Sequence, residues 1–320
     1  MPEAQRPLIA GFDAGQTHTT CRLAALEPQG TWRVLSEGEG DGVSHLAAES
    51  GDTRFAAALR SSLMAALAAA ELEARTPLAA AGIGASGIEA GSAVQSHGTV
   101  LAAQCLHLPP THTVVVGDER TALAGAFNGG PGILVISGTG CIAAGSDGQG
   151  QIQRCGGWGW LLDGAGSAMD IGRDGLALSV QMADGRLPET ALRQELWQAL
   201  GASSAQAVKA AVVAPHFAAA GFARLAPVMH QLALGGDPHA QAVIQRSAEA
   251  LAAMVHAIAE RLKLPDPAVC GVGGALHHLS GLRQGFSREL KRQLPQAELQ
   301  PPVGDACSGA LRLAAQAALR

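Results

Sequence analysis

The 320-residue chain carries 22 Lys and Arg against 27 Asp and Glu, a formal net charge of −5, which leaves no electrostatic footprint for nucleic acid or anionic lipid. With 48% hydrophobic residues it can bury a sizeable core, so disorder is excluded as its main state. Its length suggests about two domains, because single cores seldom grow past about 250–300 residues.

Aromatic residues make up only 3%, Tyr is absent, and there are 41 Gly. Packing must therefore rest on Ala, Leu, Val and Ile and on close approach of backbones. Residues 1–10 carry charge at Glu3 and Arg6 and pass straight into an apolar strand, so no signal peptide is expected. The run 61–70 is too short to span a bilayer and is flanked by Arg60, Glu71 and Glu73. Cys21, Cys105, Cys141, Cys155, Cys270 and Cys307 form no C-x-x-C pair and no zinc-ligand spacing, the pattern of reduced thiols. A cytoplasmic protein without membrane or nucleic-acid partners is the expectation.

In chain order, 8–12 reads as a strand ending in Asp13-Ala14-Gly15-Gln16-Thr17, and 19–26 as its hairpin partner. Residues 55–74, rich in Ala and Leu, predict a helix that Pro77 closes. A strand over 78–84 runs into Ala85-Ser86-Gly87, a helix reaches about Cys105, and a strand over 113–116 ends at Gly117-Asp118-Glu119. A second cycle follows: helix 120–127, strand 133–136, the turn Ser137-Gly138-Thr139-Gly140, and a return strand from Cys141. Residues 182–260 read as largely helical, 268–272 as a strand ending in Gly273-Gly274, and 306–320 as a helix burying Leu311, Leu313 and Leu319.

Each half thus sets Gly and Thr at the tip of a strand pair. Such turns expose N–H groups and a hydroxyl that can bind phosphate, although each alone is also an ordinary hairpin. No G-x-x-x-x-G-K-[ST] loop occurs. The one G-x-G-x-x-G, Gly82 to Gly87, has no Asp or Glu between 90 and 117 to hold a ribose, which argues against a dinucleotide site. The twin tips and the third glycine pair together point to nucleotide binding.

These residues also carry a resemblance. Asp13-Ala14-Gly15-Gln16-Thr17 and Ser137-Gly138-Thr139-Gly140 resemble the two phosphate motifs of the actin/hexokinase/Hsp70 superfamily. The run from Gly117-Asp118 through that second motif to Gly156-Gly157-Trp158-Gly159 is similar to the N-acetylglucosamine kinase and glucosamine kinase branch of the BadF/BadG/BcrA/BcrD ATPase family. Gly271-Val272-Gly273-Gly274-Ala275 falls where that family has its adenosine loop.

The resemblance implies an α/β fold of two ribonuclease H-like (actin-like ATPase) domains, 1–116 and 117–320, with the last helix, 304–320, able to pack back across a hinge. It implies an ATP-dependent kinase of an amino sugar such as N-acetylglucosamine or glucosamine, with Mg²⁺ near Asp13; independently of the resemblance, a homodimer is the default assembly. Gly15, Thr17, Gly138, Thr139 and Gly140 would cradle phosphates, and Gly273 and Gly274 would let adenosine pass close to the backbone. Asp118 would be the base that primes the acceptor hydroxyl. Its alternatives are a helix cap or the neighbouring Glu119 in that role. Gly157, Trp158 and Gly159 would line the sugar pocket, unless Trp158 is a core plug; His45, Ser86 and Asp163 complete the expected substrate set.

Six positions depart from the family pattern. Ala14 and Gln16 stand where Gly is usual, and Asp163-Gly164-Ala165-Gly166-Ser167 replaces Gly-Asp-Glu-Gly-Ser, leaving Asp163 one residue out of place. His45 falls where Asn is common. These changes keep in view a non-catalytic sugar or nucleotide sensor; a second alternative, a role of some members of the same superfamily, is a dehydratase-activating ATPase, whose iron–sulfur cluster needs suitably placed cysteines.

Overall fold

The computed structural model describes residues 6–320; the expectation for the first residues, Glu3 among them, lies outside this range. The chain folds into two compact units, one reaching to Gly130 and taking in Pro302–Arg320, the other Pro131–Pro301.

In the first unit, β1 (Leu8–Ala14), β2 (His18–Leu26) and β3 (Trp32–Asp41) form an antiparallel meander. Helix α1 (Gly51–Ala69) leads to β4 (Leu78–Ala85), and α2 (Ala93–Leu106) leads to β5 (Thr113–Gly117), both strands parallel to β1. Helix α3 (Asp118–Ala126) follows. The sheet order is β3-β2-β1-β4-β5. Alternation along β1 sorts the two faces. Ala10, Phe12 and Ala14 join Leu23, Phe55, Leu59, Leu67 and Ile83 in one core, while Ile9 joins Ala24, Ala80 and Leu311 in a second core under the C-terminal helix (Ala306–Ala318). Full burial of each Phe, Leu or Ile among them contributes about 1.5–3 kcal/mol.

In the second unit, β6 (Gly132–Ser137), β7 (Cys141–Ser146) and β8 (Ile152–Gly156) form an antiparallel meander. Helices α4 (Ala168–Ala183), α5 to α8 (between 191 and 234) and α9 (Pro238–Leu262) precede β9 (Ala268–Val272), parallel to β6. Short α10 (Gly274–His278) and α11 (Ser280–Gln293) lead to β10 (Glu298–Leu299). The order β10-β9-β6-β7-β8 repeats the first sheet strand for strand. Both units therefore have the ribonuclease H-like pattern that the resemblance implied.

The first compact unit runs on through α3 to Gly130. The reason is close packing of α3. A Cβ on Gly84 of β4 would lie 2.0 Å from Thr121 Oγ1, and one on Gly309 of the C-terminal helix would lie 1.9 Å from the Thr121 carbonyl. Glycine at both positions lets α3 seat on the first sheet. Three expectations are corrected. Helix α3 starts at Asp118 rather than Arg120, and Leu319 is 62% exposed, while Leu311 is buried. The predicted helix over 55–74 begins four residues earlier, at Gly51.

Candidate active site

The register β1–β4–β5 sets Asp13 opposite Gly84, and Gly84 opposite Val116, one residue before Gly117 caps α3. Asp13 and Asp118 therefore lie at the carboxyl ends of β1 and β5, the two parallel strands that flank β4, at the edge where open α/β sheets bind ligands. The Asp13 carboxyl is raised above its ordinary value, first by burial, then by the negative charge of Asp118, with Asp305 adding to it and His18 opposing it. Asp118 is no side-chain cap of α3: its Oδ1 accepts from the adjacent Glu119 N–H at 2.9 Å.

The tip joining β1 to β2 is Gly15-Gln16-Thr17. Gly15 N–H closes onto the His18 carbonyl at 3.1 Å, while the exposed Gln16 and Thr17 N–H groups have no acceptor among the described residues. Thr17 Oγ1 lies 3.0 Å from His18 Nδ1. The loop that follows β3 packs against this tip: Val43 N–H donates to the Gly15 carbonyl at 2.9 Å, and a Cβ on Gly42 would lie 2.2 Å from the Gln16 carbonyl. That contact delivers His45, whose ring lies beside Gly87. His45 Nδ1 accepts from Ala47 N–H at 3.1 Å, so the neutral ring carries its proton on Nε2. Ser86 N–H donates to the Ala14 carbonyl at 3.2 Å. The first unit thus gathers Asp13, Gly15, Thr17, His45, Ser86 and Asp118 at one sheet edge. A cavity of about 660 Å³, lined by Leu8, Ala25 and Leu78, opens at the opposite end of the sheet and takes no part.

The second unit repeats the tip with Gly138-Thr139-Gly140. Gly138 N–H donates to the Gly140 carbonyl at 2.9 Å, and the exposed Thr139 and Gly140 N–H groups again have no acceptor among the described residues. The first N–H groups of α4 hold this tip, Ala168 donating to the Gly138 carbonyl (2.9 Å) and Met169 to the Thr139 carbonyl (3.3 Å). Ser137 Oγ donates to the Gly166 carbonyl at 2.7 Å. Since β6 and β9 are parallel neighbours, Gly273 follows beside Ser137: at φ +97° its missing Cβ would sit 2.4 Å from the Ser137 carbonyl. A Cβ on Gly138 would come within 3.9 Å of Gly274 N. This tip and the glycine pair are therefore neighbours.

The Gly-Trp-Gly segment forms a separate loop after β8. Gly157 and Gly159 have φ of +73° and +89°, and Trp158 is 64% exposed, which rules out a core plug. Asp163 N–H donates to the Gly159 carbonyl at 2.9 Å, and its Oδ2 turns toward Gly156, 3.6 Å from where a Cβ would lie there. Asp163 thus belongs to the same turn as Trp158. At the neighbouring Gly164 a Cβ would lie 2.4 Å from Met169 Cε.

Sequence reading missed His18, which touches Thr17 and opposes the shift of Asp13, and the Arg22–Asp305 ion pair beside them. Arg22 Nη1 and Nη2 donate to both Asp305 oxygens at 2.7 and 2.6 Å, and Asp305 caps the C-terminal helix through Ser308 N–H. An acidic residue before a helix with Ser three positions later was the one available signal. The GxGxxG glycines Gly82 and Gly84 serve packing: a Cβ on Gly82 would lie 2.1 Å from the Ala310 carbonyl.

Two α/β units with matching ribonuclease H-like sheets each present a small-residue tip. The chain belongs to the BadF/BadG/BcrA/BcrD ATPase family, whose pattern it matches over residues 10–309. It is 28% identical over 203 residues to an N-acetylmuramic acid/N-acetylglucosamine kinase from Clostridium acetobutylicum, covering 63% of this chain and 66% of that protein. It is 30% identical over 188 residues to an N-acetyl-D-glucosamine kinase from Dictyostelium discoideum, covering 57% of this chain and 59% of the relative. The chain therefore spans about three fifths to two thirds of the length of these relatives. The crystal structure of a candidate N-acetylglucosamine kinase from Chromobacterium violaceum matches 97% of this chain and 100% of its own at 28% identity, with a TM-score of 0.75. Among the described residues, no helix is long and apolar enough to cross a membrane.

Proposed function

We propose that this chain is an ATP-dependent kinase that phosphorylates a hydroxyl of an amino sugar of the N-acetylglucosamine class. The observation that carries the reading is the repeated tip. Each unit commits one N–H to closing its turn and leaves the next two open, with a threonine hydroxyl beside them, a concave array suited to phosphate oxygens. Family membership and kinase relatives support the same class of chemistry.

Asp118 is the general base. Its Oδ1 is anchored on Glu119 N–H, leaving Oδ2 to accept the proton of the sugar hydroxyl as that oxygen attacks the γ-phosphorus and ADP departs. Phosphoryl transfer needs little covalent help from protein, so the gain lies in aligning hydroxyl and phosphate and in stabilising charge. His45, as the Nε2–H tautomer, donates to a sugar oxygen; Ser86 offers a hydroxyl, and Trp158 an apolar face.

The residues fit a Mg²⁺ ion. Asp13 is half-buried beside a like charge that raises its carboxyl, so a cation there relieves repulsion. Among the described residues no group of three or more metal ligands converges, which accords with Mg²⁺ bound by one or two carboxylates and substrate phosphates. Asp13 is the residue that would hold it. When bound, the ion neutralises phosphate charge.

A cytoplasmic location accords with six free thiols. All six are buried or half-buried and raised above their ordinary value by burial, which disfavours the thiolates that a cluster-carrying activator would use.

A coupled ADP-release assay over amino sugars and plain hexoses, with product identification, tests the reading. Sugar phosphate formed in step with ADP, for an amino sugar before a plain hexose, is the expected result. Nucleotide and sugar binding without transfer would replace it with the sensor reading that Gln16, Gly164 and Ala165 suggest.

A further inference from the structure

Resting on that kinase reading, we infer that Arg154 is a positioning residue for the acceptor, because one guanidinium holds both the backbone and the ring of the sugar loop. The loop has an intrinsic weakness. Gly156, Gly157 and Gly159 flank Trp158 at φ of +75°, +73° and +89°, and three residues without a Cβ give a large, exposed ring little local restraint.

Arg154 supplies the restraint from β8, where it is paired with Ala144 of β7. Its Nε donates to the Gly156 carbonyl at 3.3 Å and its Nη2 to the Gly157 carbonyl at 2.7 Å. The same guanidinium lies over the Trp158 ring, with Cζ 5.0 Å from the centroid. A planar fork can satisfy two successive carbonyls and stack on an aromatic face at once; a lysine ammonium, a point charge, cannot match all three contacts. The consequence is directional. One face of Trp158 is covered by the cation, and with the residue 64% exposed the other is left open for the apolar face of a pyranose ring.

The test uses the full-length protein labelled with 5-fluorotryptophan. It contains four Trp, and the ¹⁹F resonance of Trp158 is identified by its loss in Trp158→Phe. Titration with N-acetylglucosamine reads the loop directly, and steady-state kinetics with ATP reads transfer. Arg154→Met is expected to move the Trp158 resonance before any sugar is added. It should also weaken the response to the sugar and raise the sugar KM roughly tenfold, as loss of a cation–π contact and charged hydrogen bonds implies. The ATP KM and kcat should stay within about twofold, and Arg154→Lys should fall between wild type and Arg154→Met. An unmoved resonance, an unchanged sugar KM, or equal rises in the KM of sugar and ATP would each overturn the inference. A wild-type protein that transfers no phosphoryl group would overturn the kinase reading alone. In that event, sugar binding to the Trp158 face still decides the role of Arg154, and a resonance indifferent to N-acetylglucosamine rejects it.

Discussion

Asp118 lies close enough to Asp13 that its charge, after burial, is the main reason the Asp13 carboxyl is raised. The two carboxylates share one sheet edge but differ in setting, Asp13 being half-buried at a strand end and Asp118 fixed by its neighbour's N–H. Asp118→Asn is expected to leave Mg²⁺–ATP binding close to wild type while lowering turnover on the order of 10²–10⁴, the loss typical of a positioned base. Calorimetry and turnover on the same preparation check it. Wild-type turnover would remove Asp118 from the mechanism.

Gly273 is expected to resist substitution. At φ +97°, with a would-be Cβ 2.4 Å from the Ser137 carbonyl, Gly273→Ala must distort the junction between β9 and the phosphate tip. The expected cost is about 1–3 kcal/mol of stability, with a higher ATP KM. Denaturant unfolding that matches wild type would show the junction to be looser than this geometry requires.

The Arg22–Asp305 pair makes stability depend on acid. Burial alone would raise the Asp305 carboxyl, yet the Arg22 guanidinium and the Ser308 N–H and hydroxyl hold it down at about 2. A depressed carboxylate stabilises the fold above its unfolded value of about 4, and that contribution disappears as pH falls toward about 2. Asp305 is largely exposed, so screening limits the gain to about 1 kcal/mol. Arg22→Met should therefore lower stability by about that much at pH 7, and the difference should shrink between pH 4 and pH 2. A difference that stays constant across that interval would contradict the pairing.

The C-terminal helix should behave as part of the first unit's core. Leu311 is fully buried beside Ile9 and Ala80, and Leu311→Ala should cost about 2–5 kcal/mol. Leu319→Ala, at an exposed site, should change stability by less than about 0.5 kcal/mol. Thermal unfolding of the two variants compares them, and equal effects would contradict this packing.

Much of the fold was legible because it is local. Apolar runs ending in Gly and Thr located β1, β6 and β9 and both tips, since a strand followed by small residues has few other solutions. Strand β3 was not, because Trp32 to Asp41 reads as charged and Gly-rich; its glycines serve α1, a Cβ on Gly38 falling 2.2 Å from Ala66 N. The seat of α3 was hidden for the same reason. Helix α3 belongs with the first sheet through glycines at 84, 125 and 309, contacts far apart in sequence. Asp118 and Trp158 were singled out through motif likeness, whereas His18, Arg22 and Arg154 act through partners that only the fold brings together.

The central claim is that Asp118 primes a sugar hydroxyl for attack on ATP. Its most direct measurement is transfer of the labelled γ-phosphoryl group to N-acetylglucosamine, followed in parallel for the wild-type protein and Asp118→Asn. We predict labelled sugar phosphate in step with ADP for the wild type and almost none for the variant, at equal nucleotide occupancy. Labelled inorganic phosphate in place of sugar phosphate, or equal transfer by both proteins, would contradict it.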